Sequence, residues 1–452
     1  MKKALIVGMA KSGIGAAKLL CRNGYHVIVN DMKSEIAGLA EALAGFPVEY
    51  RLGVAPETLF DGVELLIPSP VIPLTKPFIV RARELGIEVI SEIELGYRYS
   101  KAEFVCISGT NGKTTCTALT GEMFRHAYRG GRTWVLGNIG VAITEHAEET
   151  EPGDIVVAET AALQMEGNVR FHARAGGMCN VTEDHLDHFG TMENYIANKE
   201  KLFRNQTADD FAVLNWDDPI VRGMARLTPA TKLYFSRREP VSEGMYLDGG
   251  TVMYRRNGVT VPFIDPNEIR IPGGHNLENA MLSSLLALSM GLDPEAVKET
   301  LRTFPGVEHR IEFVRELDGV VYINDSKGTN PASTIRAIEA MTRPTVLILG
   351  GYDKHNSFDA LFERFDGRIR AIVVLGQTKP QIVETAKRTG FSGITHEAET
   401  FREAVDLCRK LARPGDAVLL SPACASWGMF DNYEQRGEIF KDIVNRYEGG
   451  KA

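Results

Sequence analysis

The chain has no C-x-x-C pair and no regular cysteine framework; its six cysteines, Cys21, Cys106, Cys116, Cys179, Cys408 and Cys424, are scattered. That scatter offers no disulfide scaffold and suits a reducing cytosol. No stretch reaches the roughly 18 uncharged apolar residues that a membrane span requires. Lys2-Lys3 followed by Ala4 to Ala10 imitates the start of a secretory signal, but Lys11 ends the apolar run, so a first β-strand is expected there. Excess positive charge is lacking too. With 51 basic and 59 acidic residues the net charge is -8, which disfavours a general nucleic-acid binder while leaving room for a local basic pocket. There is no low-complexity tract or short repeat. What remains, 44% apolar and 24% charged residues over 452 positions, is a soluble globular composition long enough for two or three domains.

Strand, glycine turn and helix recur three times. In the middle, Val105 to Ser108 is an apolar strand that breaks into Gly109-Thr110-Asn111-Gly112-Lys113-Thr114-Thr115 and then a helical run from Cys116 to Phe124. This is a phosphate cradle: the glycines let backbone N–H groups approach phosphate oxygens, Lys113 reaches the β and γ phosphates, and the Thr114 hydroxyl can ligate Mg2+. Its spacing is two residues shorter than the usual phosphate loop. The alternative is a glycine turn beside a surface lysine.

The first recurrence runs from Ala4 to Gly8, through Ser12, Gly13 and Gly15, into a helix ending near Asn23 and a strand from His26 to Asp31. This βαβ unit resembles dinucleotide-binding folds, but its glycine spacing is not G-x-G-x-x-G. A nicotinamide dehydrogenase is therefore disfavoured. A nucleotide diphosphate at the helix start fits equally well, with Asp31 and Lys33 near its sugar and base; Asp31 as an ordinary turn residue is the competing reading. Strands are also expected at Leu65 to Ile67 and Ile87 to Ile90, and Ser91 to Lys101 carries the chain onward.

Beyond the phosphate loop, strands alternate with helices, which predicts a mainly parallel sheet covered on both faces. Trp134 to Gly140 places Asn138 at a strand end. Asp154 to Thr160 is a buried strand with Glu159 at its carboxyl edge; as a bare sequence feature Glu159 reads as an exposed strand end, and the phosphate loop turns that reading towards a hard oxygen ligand for Mg2+. Asn180 to Phe189 gathers His185, His188 and three acids in a stretch that is either a solvated turn or a Mg2+ site recruiting one histidine; ligand spacing gives zinc no support. Lys199 lies in a charged amphipathic helix and reads by composition as a surface residue. Asn276 and Asn279, three apart, share one face at the start of an apolar helix, where they either read a purine or cap the helix. After Pro305-Gly306 a third α/β region is expected, with strands at Val320 to Asp325, Thr345 to Gly350, Ala371 to Leu375 and Ala417 to Leu420. Its loops, Gly350 to Lys354 and Ser421 to Ser426, would crowd one sheet edge. Bringing Arg310, Asp325, Lys327 and Lys354 towards the phosphate loop would make an active site between domains.

The set Gly109 to Thr115, Asn180 to Asp187, His275-Asn276 with Asn279-Ala280, and His309-Arg310 resembles the Mur ligases and the related folylpolyglutamate synthases over the whole chain. Asn324 to Asn330, Ser421 to Ser426 and Glu434 to Gly437 resemble, within that family, the branch that adds D-glutamate to UDP-N-acetylmuramoyl-L-alanine in peptidoglycan precursor synthesis.

The resemblance implies an α/β protein of three domains: a Rossmann-like UDP-sugar domain at 1–98, a central P-loop ATPase-like domain at 99–305, and a Rossmann-like amino-acid domain at 306–452. It implies an ATP-dependent ligase working through an acyl phosphate, a cytoplasmic monomer with small-molecule substrates and neither nucleic-acid nor membrane partners. Residue by residue, Gly109 to Thr115, Asn276, Asn279, His309, Arg310 and Asp325 match ATP contacts. Thr114 and Glu159 match ligands of one Mg2+, and His185 a ligand of a second. Lys199 matches a lysine carbamylated by CO2 whose new carboxylate supports that second metal, which overrides the surface reading. Lys113, His185, Lys199 and Lys327 form the catalytic set. Lys327, Thr329, Lys354, Ser426 and Tyr433 match the D-glutamate region, and Ser12, Asp31, Lys33, Ser69, Asn138 and Gln164 the UDP-sugar side. The sequence departs from the family where Ala161-Ala162-Leu163-Gln164-Met165 replaces Ser-Ser-Phe-Gln-Leu, and where Val71 follows Pro70 in place of glycine. Both changes touch acceptor contacts and leave acceptor identity open; separately, the rival of the same class is a related ligase for another amino acid. A nucleotide-binding regulator without catalysis is the rival of another class.

Overall fold

Three sheets follow one another along the chain, each made of buried aliphatic runs between polar turns. They are seen in a computed structural model that describes residues 1–353 and 356–450, so Lys354 lies outside the described residues. The first sheet is fully parallel, in the order β3-β2-β1-β4-β5, from β1 (Lys3–Val7), β2 (His26–Asp31), β3 (Val48–Leu52), β4 (Val63–Pro68) and β5 (Glu88–Val89). Such order, with β1 between β2 and β4, follows from right-handed crossovers on both sides of a central strand.

The second sheet has nine strands: β6 (Glu103–Ser108), β7 (Thr133–Gly137), β8 (Ile155–Glu159), β9 (Ala175–Met178), β10 (Phe211–Asn215), β11 (Thr231–Ser236), β12 (Gly244–Asp248), β13 (Thr251–Arg256) and β14 (Val259–Ile264). Their order is β14-β13-β12-β11-β10-β9-β6-β8-β7. β6 to β12 are mutually parallel, and the last two strands form antiparallel pairs at one edge. Phe104, Cys106, Val156 and Ala158 are buried in one core beneath this sheet. The expected mainly parallel α/β architecture is therefore present. Because β6 lies between β8 and β9, whatever follows β6 is flanked by the ends of those two strands.

The third sheet orders β15 (Glu312–Leu317), β16 (Val320–Asn324), β17 (Thr345–Gly351), β18 (Ile369–Gly376), β19 (Ile394–Glu397) and β20 (Ala417–Leu420) as β15-β16-β20-β17-β18-β19. All its pairs are parallel except β15 with β16. The chain divides into two compact units, Met1–Ile269 with His275–Phe304, and Arg270–Gly274 with Pro305–Ala452. Among the described residues no helix is long and apolar enough to cross a membrane.

Within the first unit the five-stranded and nine-stranded sheets are joined by a tight seam. The helix Lys11–Arg22 presents Gly15 to Thr144, where a Cβ on Gly15 would come within 2.6 Å of Thr144 Oγ1. This close approach accounts for one glycine of the irregular G-x-x-x-x-G-x-G run: it serves packing between sheets. Glu92, on the helix Glu92–Tyr99, is buried in the same seam and accepts hydrogen bonds from Thr144 N at 2.8 Å and Thr144 Oγ1 at 2.7 Å. Its other oxygen has no hydrogen-bond partner among the described residues, and burial raises its pKa.

Candidate active site

The loop Gly109 to Gly112 leaves β6 and enters the helix Lys113–Ala127. Gly112 has φ +87°, and a Cβ there would stand 2.5 Å from Asn279 Oδ1. A side chain at this position is thus both strained and without space. The loop is fastened from the β9 side. Asn180 Nδ2 donates to Asn111 O at 3.1 Å, Asn111 N donates to Asn180 Oδ1 at 2.9 Å, and Thr110 N donates to Asn180 O at 2.8 Å. Lys113 Nζ curls back over the loop, donating to the carbonyls of Gly109 at 2.9 Å and Thr110 at 3.0 Å. Thr114 and Thr115 are buried in the first helical turn.

On the β8 side, Glu159 ends its strand in register with Ile107. It is 2% exposed, so the exposed-strand-end alternative is wrong. One oxygen accepts from Asn138 Nδ2 at 2.8 Å, while Oε2 is buried without a partner among the described residues. An orphaned carboxylate oxygen costs free energy unless a cation or donor meets it. Together with the nearby hydroxyl-bearing turn of Thr114, this donor chemistry fits a hard divalent cation.

Lys199 corrects the compositional reading most plainly. The helix Met192–Glu200 docks against the loop through Tyr195, whose hydroxyl lies 3.1 Å from Thr110 Oγ1. Lys199 is 1% exposed, with Nζ 4.6 Å from the centroid of the Tyr195 ring. Burial first, and the Lys113 charge second, pull its pKa down to about 7. An ammonium would repel a metal ion, so Lys199 fits a metal site only as the neutral amine that burial favours or after conversion to an anion. The two histidines of Asn180 to Phe189 separate. His188 Nε2 is 3.0 Å from Glu166 Oε2 with both side chains largely buried, whereas His185 stands exposed beside Asp184 at 3.7 Å. Nothing in this geometry brings His185 to Glu159.

Asn276 and Asn279 share a face, as expected from their spacing: Asn279 Nδ2 donates to Asn276 Oδ1 at 3.1 Å, and both are buried. At the first sheet, Asp31 accepts from Met9 N at 2.9 Å and from Lys33 N at 3.1 Å, so it braces the turn after β1 as well as its own. Ser69 N donates to Val7 O at 2.7 Å, placing Ser69 beside that turn. Ser12 lies in the first turn of the following helix, and Lys33 is exposed. Gln164 is buried and accepts from Ala161 N at 3.1 Å, capping a short helix.

In the second unit, loops after β16, β20 and β17 meet at one sheet edge. Asp325 accepts from Ser421 Oγ at 2.6 Å and Ile311 N at 3.2 Å, and burial, opposed by these bonds and by Arg310, raises its pKa to about 7. His309 is buried, 3.0 Å from Asn324 Nδ2, and its carbonyl accepts from Lys327 N at 3.0 Å. Lys327 Nζ lies 5.5 Å from the Tyr433 ring centroid, Thr329 N donates to Lys327 O at 2.9 Å, and Ser426 is buried in the loop after β20.

Sequence reasoning gave no role to Arg436, which is 2% exposed. Its Nε donates to Ser326 Oγ at 3.0 Å, and its terminal nitrogens donate to Ser326 O at 2.7 Å and Cys424 O at 3.1 Å. Burial lowers its pKa to about 10. The available signal was its place in Glu434 to Gly437, on the same helix as the apolar Ile439, Phe440 and Ile443.

Residues 2–91 match the N-terminal domain of MurD-like Mur ligases, residues 107–287 the Mur ligase middle domain, and residues 309–424 the Mur ligase glutamate ligase domain. The chain is 45% identical to the UDP-N-acetylmuramoylalanine–D-glutamate ligase of Alkaliphilus oremlandii, with 98% of each covered. It is 43% identical to the protein of that name from Clostridioides difficile, at the same coverage. Among solved structures, the UDP-N-acetylmuramate-alanine ligase MurC of Thermotoga maritima matches with a TM-score of 0.60 at 18% identity, covering 98% of this chain and 99% of that one. That last likeness is one of fold.

Proposed function

The chain belongs to the Mur ligase family, and from that premise we propose that it uses ATP to join D-glutamate to UDP-N-acetylmuramoyl-L-alanine in the making of peptidoglycan precursors. The observation that carries this reading is the phosphate loop after β6, flanked by a buried carboxylate oxygen of Glu159 that no group among the described residues satisfies. Full-length identity to D-glutamate ligases supports the choice of amino acid.

In this reading residues 1–98 hold the UDP-sugar, residues 99–305 the ATP and residues 306–452 the amino acid, in a cytoplasmic monomer. A carboxylate oxygen of the alanyl group attacks the γ phosphorus of ATP, ADP departs, and an acyl phosphate results. The free amine of D-glutamate then attacks the acyl carbon and loses a proton, and the tetrahedral intermediate expels phosphate to leave the amide.

Two anions must meet in the first step, so positive charge is needed where phosphate oxygens lie. Lys113 supplies it once its ammonium turns from the loop carbonyls to those oxygens. Thr114 and Glu159 would hold one Mg2+, and His185 with Lys199 as a carbamate would hold a second; bound there, the ions would neutralise developing phosphate charge. Asn276, Asn279, His309, Arg310 and Asp325 address the nucleotide. Ser12, Asp31, Lys33 and Ser69 face the UDP-sugar. The bond from Asn138 to Glu159 and the capping bond of Gln164 give those two residues an orienting part as well. Lys327, Thr329, Ser426 and Tyr433 take D-glutamate, the Lys327 cation suiting its side-chain carboxylate. Lys199 supports its assignment chemically: a buried amine with a pKa of about 7 is substantially unprotonated at neutral pH, the state that can attack CO2.

The test is ADP release with UDP-N-acetylmuramoyl-L-alanine and a panel of D- and L-amino acids. D-glutamate should exceed every other member by about tenfold or more. No stimulation by D-glutamate, or a stronger response to another amino acid, overturns the proposal.

A further inference from the structure

Two cysteines that the reaction does not use lie directly under the phosphate loop. Cys116 is in the first turns of the helix Lys113–Ala127, and Cys179 follows the last residue of β9. Their sulfurs are 3.7 Å apart in a buried contact, with no disulfide bond between them. Each also touches the loop's own supports. The Cys179 Cβ lies 2.8 Å from where Gly109 would carry a Cβ, and its sulfur 3.6 Å from the corresponding point of Gly112. Cys116 Sγ donates at 3.2 Å to Asn279 Oδ1, the same oxygen that fills the space beside Gly112.

We propose that Cys116 and Cys179 are a reversible oxidation site, and that the disulfide between them deforms the phosphate loop so that ATP is released. The proposal rests on the reading of that loop as the ATP cradle. Its oxidant is a hydroperoxide, of which hydrogen peroxide is the simplest. Cys179, 4% exposed at the loop, is the sulfur that a small peroxide meets first, and Cys116 is fully buried behind it. The first thiol attacks one peroxide oxygen and breaks the O–O bond, giving a sulfenic acid and water. The second sulfur then displaces the hydroxyl as a second water. Two electrons pass from the thiols to the peroxide, and both thiol protons end in water. Transient, sensing disulfides of this kind are the sort that reducing compartments allow.

Geometry links the bond to the nucleotide. A disulfide needs sulfurs about 2.05 Å apart, so the 3.7 Å contact must shorten by roughly 1.6 Å. Closing it draws Cys116 off Asn279 Oδ1 and pulls the helical turn bearing Thr114 towards β9. On that side the Cys179 Cβ already occupies the space beside Gly109, so the loop has to move.

The experiment uses the full chain, reduced and after stoichiometric hydrogen peroxide. Non-reducing peptide mass spectrometry reads the Cys116–Cys179 link, and titration with ATP and Mg2+ reads affinity. The expected result is a linked peptide lighter by two hydrogens and an affinity loss on the order of tenfold, both reversed by dithiothreitol and both absent in Cys179→Ala. Cys116→Ala should behave likewise, which keeps the test open if one variant folds poorly. Three results overturn the proposal: no linked peptide, full linkage with unchanged ATP affinity, or an equal loss of affinity in the variants. If the reduced chain fails to bind ATP, the cradle reading falls and the loss of ATP with it, while the linked peptide separately decides the oxidation chemistry.

Discussion

Lys199 and Glu159 are buried groups of opposite nature, and each is held at a cost that function explains better than stability. Lys199→Ala should reduce ADP release by roughly 100-fold, and added formate or acetate should restore part of it by supplying the missing carboxylate. Unchanged turnover would remove Lys199 from the site. Glu159→Gln keeps the oxygen that Asn138 binds and replaces the one that has no partner among the described residues. Its melting temperature should equal or exceed that of the parent, because an orphaned buried carboxyl oxygen is removed, while Mg2+-dependent ADP release falls by about 100-fold. A destabilised variant with normal activity would show Glu159 to be structural.

Asp325 carries the pH prediction at this scale. Its pKa of about 7 lies above the ordinary 3.8, so between those values the folded chain keeps a proton that the unfolded chain has released. Its stabilising contribution is therefore complete below about pH 4 and is lost as pH rises through 7. In urea unfolding at pH 5 and pH 8, Asp325→Asn should lose less stability between the two than the parent does; equal losses would contradict the shift.

At the scale of elements, the Arg436 guanidinium joins the Ser421–Asp325 bond in tying together the loops after β16 and β20. Arg436→Met keeps much of the volume but leaves Ser326 O, Ser326 Oγ and Cys424 O without their donor. It should destabilise the second unit by about 2–4 kcal/mol in urea titrations and raise the KM for D-glutamate more than that for ATP. Equal effects on both substrates would mean that Arg436 supports only the general fold. Legibility in the sequence also divides by element. The strand, turn and helix units around Gly8, Gly109 and Gly350 could be read because apolar runs and turn glycines are local signals. The burial of Lys199 could not, because its neighbours Asn198 and Glu200 are polar, and the contact that buries it comes through Tyr195 docking on a loop some 80 residues earlier. Arg436 was hidden likewise: its partners belong to two loops, and one of them, Ser326, is distant in sequence. The spacing of Asn276 and Asn279 revealed their common face, while their position against Gly112 depends on how the helix Gly274–Ser289 packs.

For the whole molecule, each compact unit has buried cores of its own, as in the clusters around Val156 and around Val373. Unfolding should therefore depart from a single two-state transition, with a calorimetric enthalpy larger than the van't Hoff value. ATP with Mg2+ should raise the part belonging to the first unit. One transition with equal enthalpies would contradict this. The class of fold was readable because the periodicity of β6, β8 and β16 is strong, whereas the fusion of two sheets into one unit depends on Gly15, Glu92 and Thr144, three residues whose pattern carries no local signal. That seam has a geometrical consequence. With Thr144 pressed on Gly15 and anchored to the Glu92 carboxyl, the edge after β1 and the loop after β6 become two fixed marks on one ruler. Under the proposed function, a UDP-sugar gripped at the first mark would deliver its reactive end to the second only if its own length matched the interval, so the fold would measure its substrate as well as recognise it.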